Sequence, residues 1–295
     1  MRIHLVDGTY ELFRGYFGAP PARGAQGEQV GATRALGRQL LSLLRKEAAT
    51  HVAYAFDHEI ESFRNQLFDG YKTGEGIEPE LLSQFPLAEE LVAAMGICVW
   101  PMVEFEADDA LATAAARYSK LASVEQIVIA SPDKDLTQCV EGQRIVCLDV
   151  RQEKRMDEAG VVEKFGVSPA SIPDYLALVG DAADGIPGVS RWGAKSSSVL
   201  LAEYGSVEAI PRDSAAWTVK VRGAQALARE LSQAEEKVEL YKQLATLRRD
   251  VPLEENPEQL EWKGPDARRL AAICERMNDS RLLEQVQAFA GSSRD

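Results

Sequence analysis

Apolar residues fall into short runs and helical stripes that alternate along the first half of the chain. Arg2–Val6, His51–Phe56, Cys98–Trp100, Gln126–Ala130 and Arg144–Val150 are apolar-rich and flanked by turn or charged residues, as buried strands are. Between them, Val30–Glu47 sets Leu36, Leu40, Leu43 and Leu44 on one stripe, and Gln84–Met95 and Ala107–Leu121 are helical in composition. This alternation predicts an α/β fold with a twisted, mostly parallel sheet. Beyond about Asp157 the helical period takes over, in Glu158–Phe165, Ile172–Val179, Ala194–Tyr204, Ala224–Leu247 and Asp266–Arg276. Gly185-Ile-Pro-Gly188 and Gly205-Ser punctuate those segments as turns. The pattern reads as an α/β core over residues 1–160 and a helical domain over 161–295, with the tail Gly291–Asp295 expected to fray.

Composition narrows the class. The 295 residues are 45% hydrophobic and 27% charged, the balance of a soluble globular protein. The start MRIHLVDG has no apolar stretch of signal-peptide length, and the longest apolar run, near Leu91–Trp100, is too short to span a bilayer. Cys98, Cys139, Cys147 and Cys274 lack CxxC spacing, and His4, His51 and His58 do not pair. A disulfide framework, a zinc site and a Ser-His-Asp triad are therefore not indicated, and a cytoplasmic location is expected. The formal charge is −13, a sign that at first argues against a polyanionic partner.

The placement of the acids changes that picture. IHLVDG brings Asp7 past the end of the first apolar run, VAYAFD does the same with Asp57, and IVIASPDKD delivers Asp133 and Asp135. In an open parallel sheet, ligands bind beyond the carboxyl ends of the strands, so three strands aim acids at one rim. Glu106 and Asp109 share a helical face at the start of the Ala107 helix, with Asp108 beside them, and Asp181 and Asp184 are again three apart. Each group alone fits helix capping or a turn. Nine carboxylates on one rim would repel one another unless cations were present. Oxygen ligands without His or Cys select Mg²⁺ or Mn²⁺, and so many acids suggest two or more ions. Two metals about 4 Å apart suit hydrolysis of a phosphodiester by a metal-activated water. There is no GxxxxGK[ST], no GxGxxG after a strand and no GxSxG elbow, so an NTPase, a dinucleotide enzyme and a serine hydrolase are not indicated.

The segments VDGTYELFRGYF, AFDHEIESFRNQLFDGYK, EADDALAT, SPDKDLTQCV and LVGDAADGIPGVSRWGAKSSSVLLAEYGS together resemble the structure-specific 5′ nuclease family. That family includes the 5′-nuclease domain of bacterial DNA polymerase I and stand-alone flap endonuclease/exonucleases. The motifs stand in the family's order from Arg2 to about Leu247, and the resemblance is to a free-standing member, so no polymerase domain is expected to follow. The resemblance implies a PIN-like α/β nuclease core with a helical arch at about 58–86, then a helix–three-turn–helix element at about 172–206. It implies a first metal site from Asp7, Asp57, Glu106, Asp108, Asp109, Asp133 and Asp135, completed by Asp181 and Asp184 for a second.

The resemblance also assigns DNA contacts. Lys72 and Arg64 would clamp phosphate near the reacting bond, and Tyr71 would offer a stacking surface to an unpaired terminal base. One departure is Glu75, an acid where the family commonly has a second basic residue; it would weaken that clamp. In Gly185-Ile-Pro-Gly188-Val-Ser190-Arg191-Trp-Gly193-Ala-Lys195, glycines allow close approach to a phosphate and the next helix presents free N–H groups, so duplex would be bound without sequence preference. Family members bind K⁺ at this turn, with Ser190 a candidate helper, and Trp192 reads as packing. Residues 183–249 carry ten basic and eight acidic side chains, so the chain's acidity is not uniform. The implied protein is a monomeric, divalent-metal-dependent 5′ nuclease acting on branched or nicked duplex with a 5′ single strand or RNA primer, alongside replication proteins. The alternatives are a PIN-like RNase and a catalytically weak DNA-junction binder.

Overall fold

Strand β1 (Arg2–Asp7) lies inside a parallel sheet in the computed structural model, which describes residues 1–292. It runs into α1 (Gly8–Gly18), and α2 (Gly31–Lys46) returns to β2 (His51–Asp57). After the short α3 (Phe63–Leu67) and α4 (Pro79–Leu82), the chain forms α5 (Phe85–Ala94), β3 (Cys98–Met102), α6 (Ala107–Tyr118) and β4 (Gln126–Ala130). The strand order is β3-β2-β1-β4, all parallel. Asp7 lies opposite Ala55, and Asp57 opposite Met102, so both acids sit at the carboxyl edge, as the alternation predicts. Ile3, Leu5, Val52, Phe56 and Ile127 are fully buried in this sheet, which is why its strands read as apolar runs. Pro101 is tolerated because β3 has a neighbour on one side here.

Packing divides the chain into two units, and the division does not follow chain order. One unit takes Met1–Ile60, Gly74–Ser131 and the chain from Arg249 on; the other takes Glu61–Thr73 and Pro132–Arg248. The C-terminal segment, with α12 (Ala267–Arg276) and α13 (Ser280–Ser292), docks on the sheet unit. Trp262 N–H donates to Thr50 O at 2.7 Å, Asp266 N–H to Ala94 O at 2.9 Å, and Arg38 pairs with Asp279 at 2.5 Å. A reading in chain order at residue 160 has no local signal for this long-range return.

The second unit holds the antiparallel pair β5 (Ile145–Asp149) and β6 (Lys154–Met156). It continues through α7 (Glu158–Phe165), α8 (Ile172–Val179), α9 (Ala194–Tyr204), α10 (Ala224–Gln233) and α11 (Glu235–Ala245). Helix Ala224–Leu247 of the sequence reading is thus two helices. Ser232 Oγ donates back to Ala228 O at 2.9 Å, and Ala234 leaves helical geometry at φ −105°, ψ 13°, bending the chain. The stretch 58–86 is mostly irregular, with α3, α4 and the start of α5, because Gly70, Gly74 and Gly76 interrupt it. Helix α1 has a weak helical signal in sequence because it carries three glycines; Gly15 is needed, since a Cβ there would lie 2.9 Å from Ala32 O of α2. Gly291 and Ser292 fall in the last turn of α13, and residues 293–295 of the expected frayed tail lie outside the described residues.

Candidate active site and its carboxylate cluster

In the sheet unit, the acids at the carboxyl edge also organise the backbone. Asp7 caps α1, its Oδ1 accepting from Tyr10 N–H at 2.8 Å, and its Oδ2 accepts from Ser131 Oγ at 3.0 Å. Asp57 Oδ1 accepts from Ala107 N–H at 2.7 Å, which ties the end of β2 to the start of α6. Glu106 and Asp109 form a capping box, with Asp109 Oδ2 accepting from Glu106 N–H at 3.0 Å. Asp109 is wholly buried and Asp108 half-buried. The helix-capping reading of these acids is therefore realised, and it fixes where Asp57 and Glu106 stand.

In the other unit, Asp135, Asp181 and Asp184 each bring a carboxylate oxygen within 4.8 Å of the others'. Asp135 opens a 3₁₀ turn, Asp135–Cys139, that follows β4 in the chain. Gln138 of that turn donates to Ala245 O at 3.0 Å and accepts from Leu247 N–H, anchoring it to the end of α11. Asp181 and Asp184 lie in the turn after α8, where Asp181 and Ile186 exchange two backbone hydrogen bonds of 2.8 Å. Gly185 allows this turn to close: its φ is +75°, and a Cβ would meet Gly70 O at 2.1 Å. Asp133 is exposed and its Oδ1 accepts from Asp135 N–H at 2.9 Å.

Burial pushes the Asp135 carboxyl well above its usual range, and the like charges of Asp133, Asp184 and Asp181 push the same way, with Lys134 opposing them. Two ammonium groups face the cluster. Lys134 Nζ pairs with Asp181 Oδ2, and Lys72 Nζ lies 3.0 Å from Asp184 Oδ1. Burial pulls the Lys134 ammonium down, but its bond to Asp181 and the nearby Asp135 and Asp133 outweigh it and raise it overall. The donor set fits a hard divalent ion: only carboxylate oxygens, one of them (Asp135 Oδ1) buried and accepting no hydrogen bond, with cations already drawn to it.

The basic and aromatic residues of Glu61–Thr73 are placed unequally. Lys72 is half-buried and doubly tied to Asp184, its N–H donating to Asp184 O at 3.0 Å. Arg64 is 1% exposed, and its guanidinium donates to Leu244 O at 2.8 Å and Thr246 O at 3.2 Å. This corrects its assignment as a phosphate clamp: the fork is spent on the carbonyls that end α11. Tyr71 is 4% exposed, with Lys72 Nζ 5.6 Å from its ring centre, which corrects its reading as a stacking platform. Trp192 is buried and donates to Leu227 O, as packing requires. Ser190, Arg191, Gly193 and Lys195 are exposed around the α9 N-terminus, and Arg191 takes φ +67°. Gly188 takes φ +72°, and a Cβ there would press on Gly180 N at 2.5 Å. Glu75 is exposed. Lys134, at this cluster, has one signal in the sequence, its position between Asp133 and Asp135.

A family model for the N-terminal, resolvase-like domain of 5′-3′ exonucleases matches residues 2–166, and one for their C-terminal SAM fold matches residues 167–268. The chain belongs to the 5′-3′ exonuclease family. Among relatives of this exonuclease family, a 5′-3′ exonuclease of Aquifex aeolicus is 32% identical over 286 residues, covering 96% of this chain and 94% of that protein. DNA polymerase I of Bacillus caldotenax is 31% identical over 293 residues; the match takes 97% of this chain but 32% of the polymerase, so the chain spans about a third of that relative. A T5 5′-exonuclease structure described as binding divalent metal ions (zinc) superposes with a TM-score of 0.66 at 17% identity, over 98% of this chain and 100% of the other, a likeness of fold. Family membership makes the chain a nuclease of the 5′-3′ exonuclease kind, and its carboxylate cluster is consistent with metal binding. Among the described residues, no helix is long and apolar enough to cross a membrane.

Proposed function

We propose that this chain is a divalent-metal-dependent 5′ nuclease that hydrolyses phosphodiesters where duplex DNA meets a 5′ single strand, in lagging-strand processing and repair, RNA primers included. The observation that carries this reading is the approach of Asp135, Asp181 and Asp184 with Lys72 bound to one of them. Those three acids and Asp133 would hold one ion, and Asp7, Asp57, Glu106, Asp108 and Asp109 would supply ligands for another; Mg²⁺ or Mn²⁺ suits this donor set. When bound, such ions activate water and offset the charge of a reacting phosphate.

The chain's own residues supply the rest. Lys72, held at the cluster by Asp184, is placed to orient a phosphate as the point charge a lysine provides. The turn Gly185–Lys195, in which Ser190, Arg191, Gly193 and Lys195 are exposed, offers backbone N–H groups at the α9 N-terminus to a duplex phosphate, with Arg191 and Lys195 adding charge. Its carbonyls suit a K⁺ ion, with Ser190 beside them. The T5 D15 flap endonuclease and the Rad2 catalytic core are described in complex with DNA, which supports DNA as the partner here. A monomer working in the cytoplasm with replication proteins fits this reading. The test compares a 5′-flap DNA with single-stranded RNA, each with Mg²⁺, with Mn²⁺ and with chelator. Metal-dependent release of short 5′ products from the flap is expected, and preferential cleavage of the RNA would favour a PIN-like RNase instead.

A further inference from the structure

Lys134 sits between Asp133 and Asp135 in the chain and turns its ammonium back onto the cluster. Its Nζ pairs with Asp181 Oδ2 and lies 3.9 Å from Asp135 Oδ1, while 35% of the side chain stays exposed. It therefore bridges two segments, the 3₁₀ turn after β4 and the turn after α8, through the two most buried acids of the cluster.

We propose that Lys134 is a resident counter-ion of the cluster, holding Asp135 and Asp181 together in the metal-free protein and displaced when a divalent cation enters. The inference rests on the metal-binding reading above and adds to it a positioning residue that sets metal affinity. Three carboxylates this close repel one another, and Asp135 is nearly fully buried, so some cation is needed to keep them together. An ammonium offers one charge and three donors, whereas a divalent ion carries two charges and accepts six or more oxygens. The ion wins when present, and the flexible four-carbon stem with its partly exposed end lets Lys134 withdraw into water. Because that step opposes binding, the lysine lowers the apparent affinity for metal.

The test uses the full chain without DNA, with Mn²⁺ alone as the probe. Lys134→Met keeps the stem and removes the charge. The metal-free variant should melt below wild type, and calorimetry should show Mn²⁺ binding tighter by about threefold or more. Lys134→Arg, which keeps the charge, should bind as weakly as wild type. Wild-type or weaker affinity in Lys134→Met would overturn the counter-ion role while leaving the metal reading standing; a wild-type protein that takes up no Mn²⁺ would overturn both. Should Lys134→Met not fold, NMR of the wild-type lysine side chains decides: the Lys134 Cε resonance should shift on Mg²⁺ saturation, and an unmoved resonance contradicts displacement.

Discussion

Lys72 meets Asp184 twice, by its ammonium at 3.0 Å from Oδ1 and by its backbone N–H donating to the carbonyl at 3.0 Å. The second bond holds the backbone at Lys72 whatever its side chain, so the two effects separate. Lys72→Ala should keep the fold and the metal site yet slow flap cleavage by about 10²-fold or more under single-turnover conditions. A variant as fast as wild type would remove Lys72 from the reaction.

Arg64 should behave in the opposite way. Its guanidinium bonds to Leu244 O and Thr246 O from a fully buried position, so Arg64→Met strands two carbonyls. Denaturant unfolding should show a loss of about 2–4 kcal/mol, with cleavage per folded molecule near wild type. Full stability with lost cleavage would restore the phosphate-clamp role.

The contrast between these two residues marks what was legible in the sequence. Parallel strands, the acids at their ends and the α8–turn–α9 unit follow from local pattern, because apolar runs, carboxylates after strands and glycines in turns are local signals. Arg64 and Lys72 lie in one basic segment, and nothing local tells that one of them is swallowed by α11, some 180 residues on. The burial of Tyr71, 4% exposed, likewise has no signal in the residues around it. The return of α12 and α13 to the sheet, and the turning of Lys134 onto Asp181, are likewise long-range facts.

A second ion network gives a pH dependence. Lys242 Nζ lies 2.8 Å from the buried Asp174 Oδ1 and 2.9 Å from Glu208 Oε2. Burial pulls the Lys242 ammonium down, but the bonds to Asp174 and Glu208 raise it overall; Glu208, despite burial, is lowered by its bond to Lys242. A raised lysine contributes stability below its ordinary range and loses it as pH rises through the folded value. A lowered carboxylate contributes above its ordinary range and loses it as pH falls through the folded value. Lys242→Met should therefore be less stable by about 1–2 kcal/mol near neutrality, and the gap to wild type should close at strongly alkaline and strongly acid pH. A pH-independent gap would mean that the lysine acts through its stem alone.

Metal should stabilise the fold as well as drive the reaction. With the ion at about a hundred times its dissociation constant, about 2.7 kcal/mol of stabilisation is expected, visible as a rise in melting temperature that Asp135→Asn largely abolishes. An equal rise in that variant would place the ion elsewhere.

The most direct measurement follows 5′-labelled flap DNA with wild type and Asp181→Ala at saturating protein, in Mg²⁺ and in chelator, with binding recorded in parallel. The account predicts short 5′ products from wild type only with metal, and loss of cleavage in Asp181→Ala by about 10³-fold or more while DNA affinity changes little. Cleavage by wild type in chelator, or parallel loss of cleavage and binding in Asp181→Ala, would contradict it.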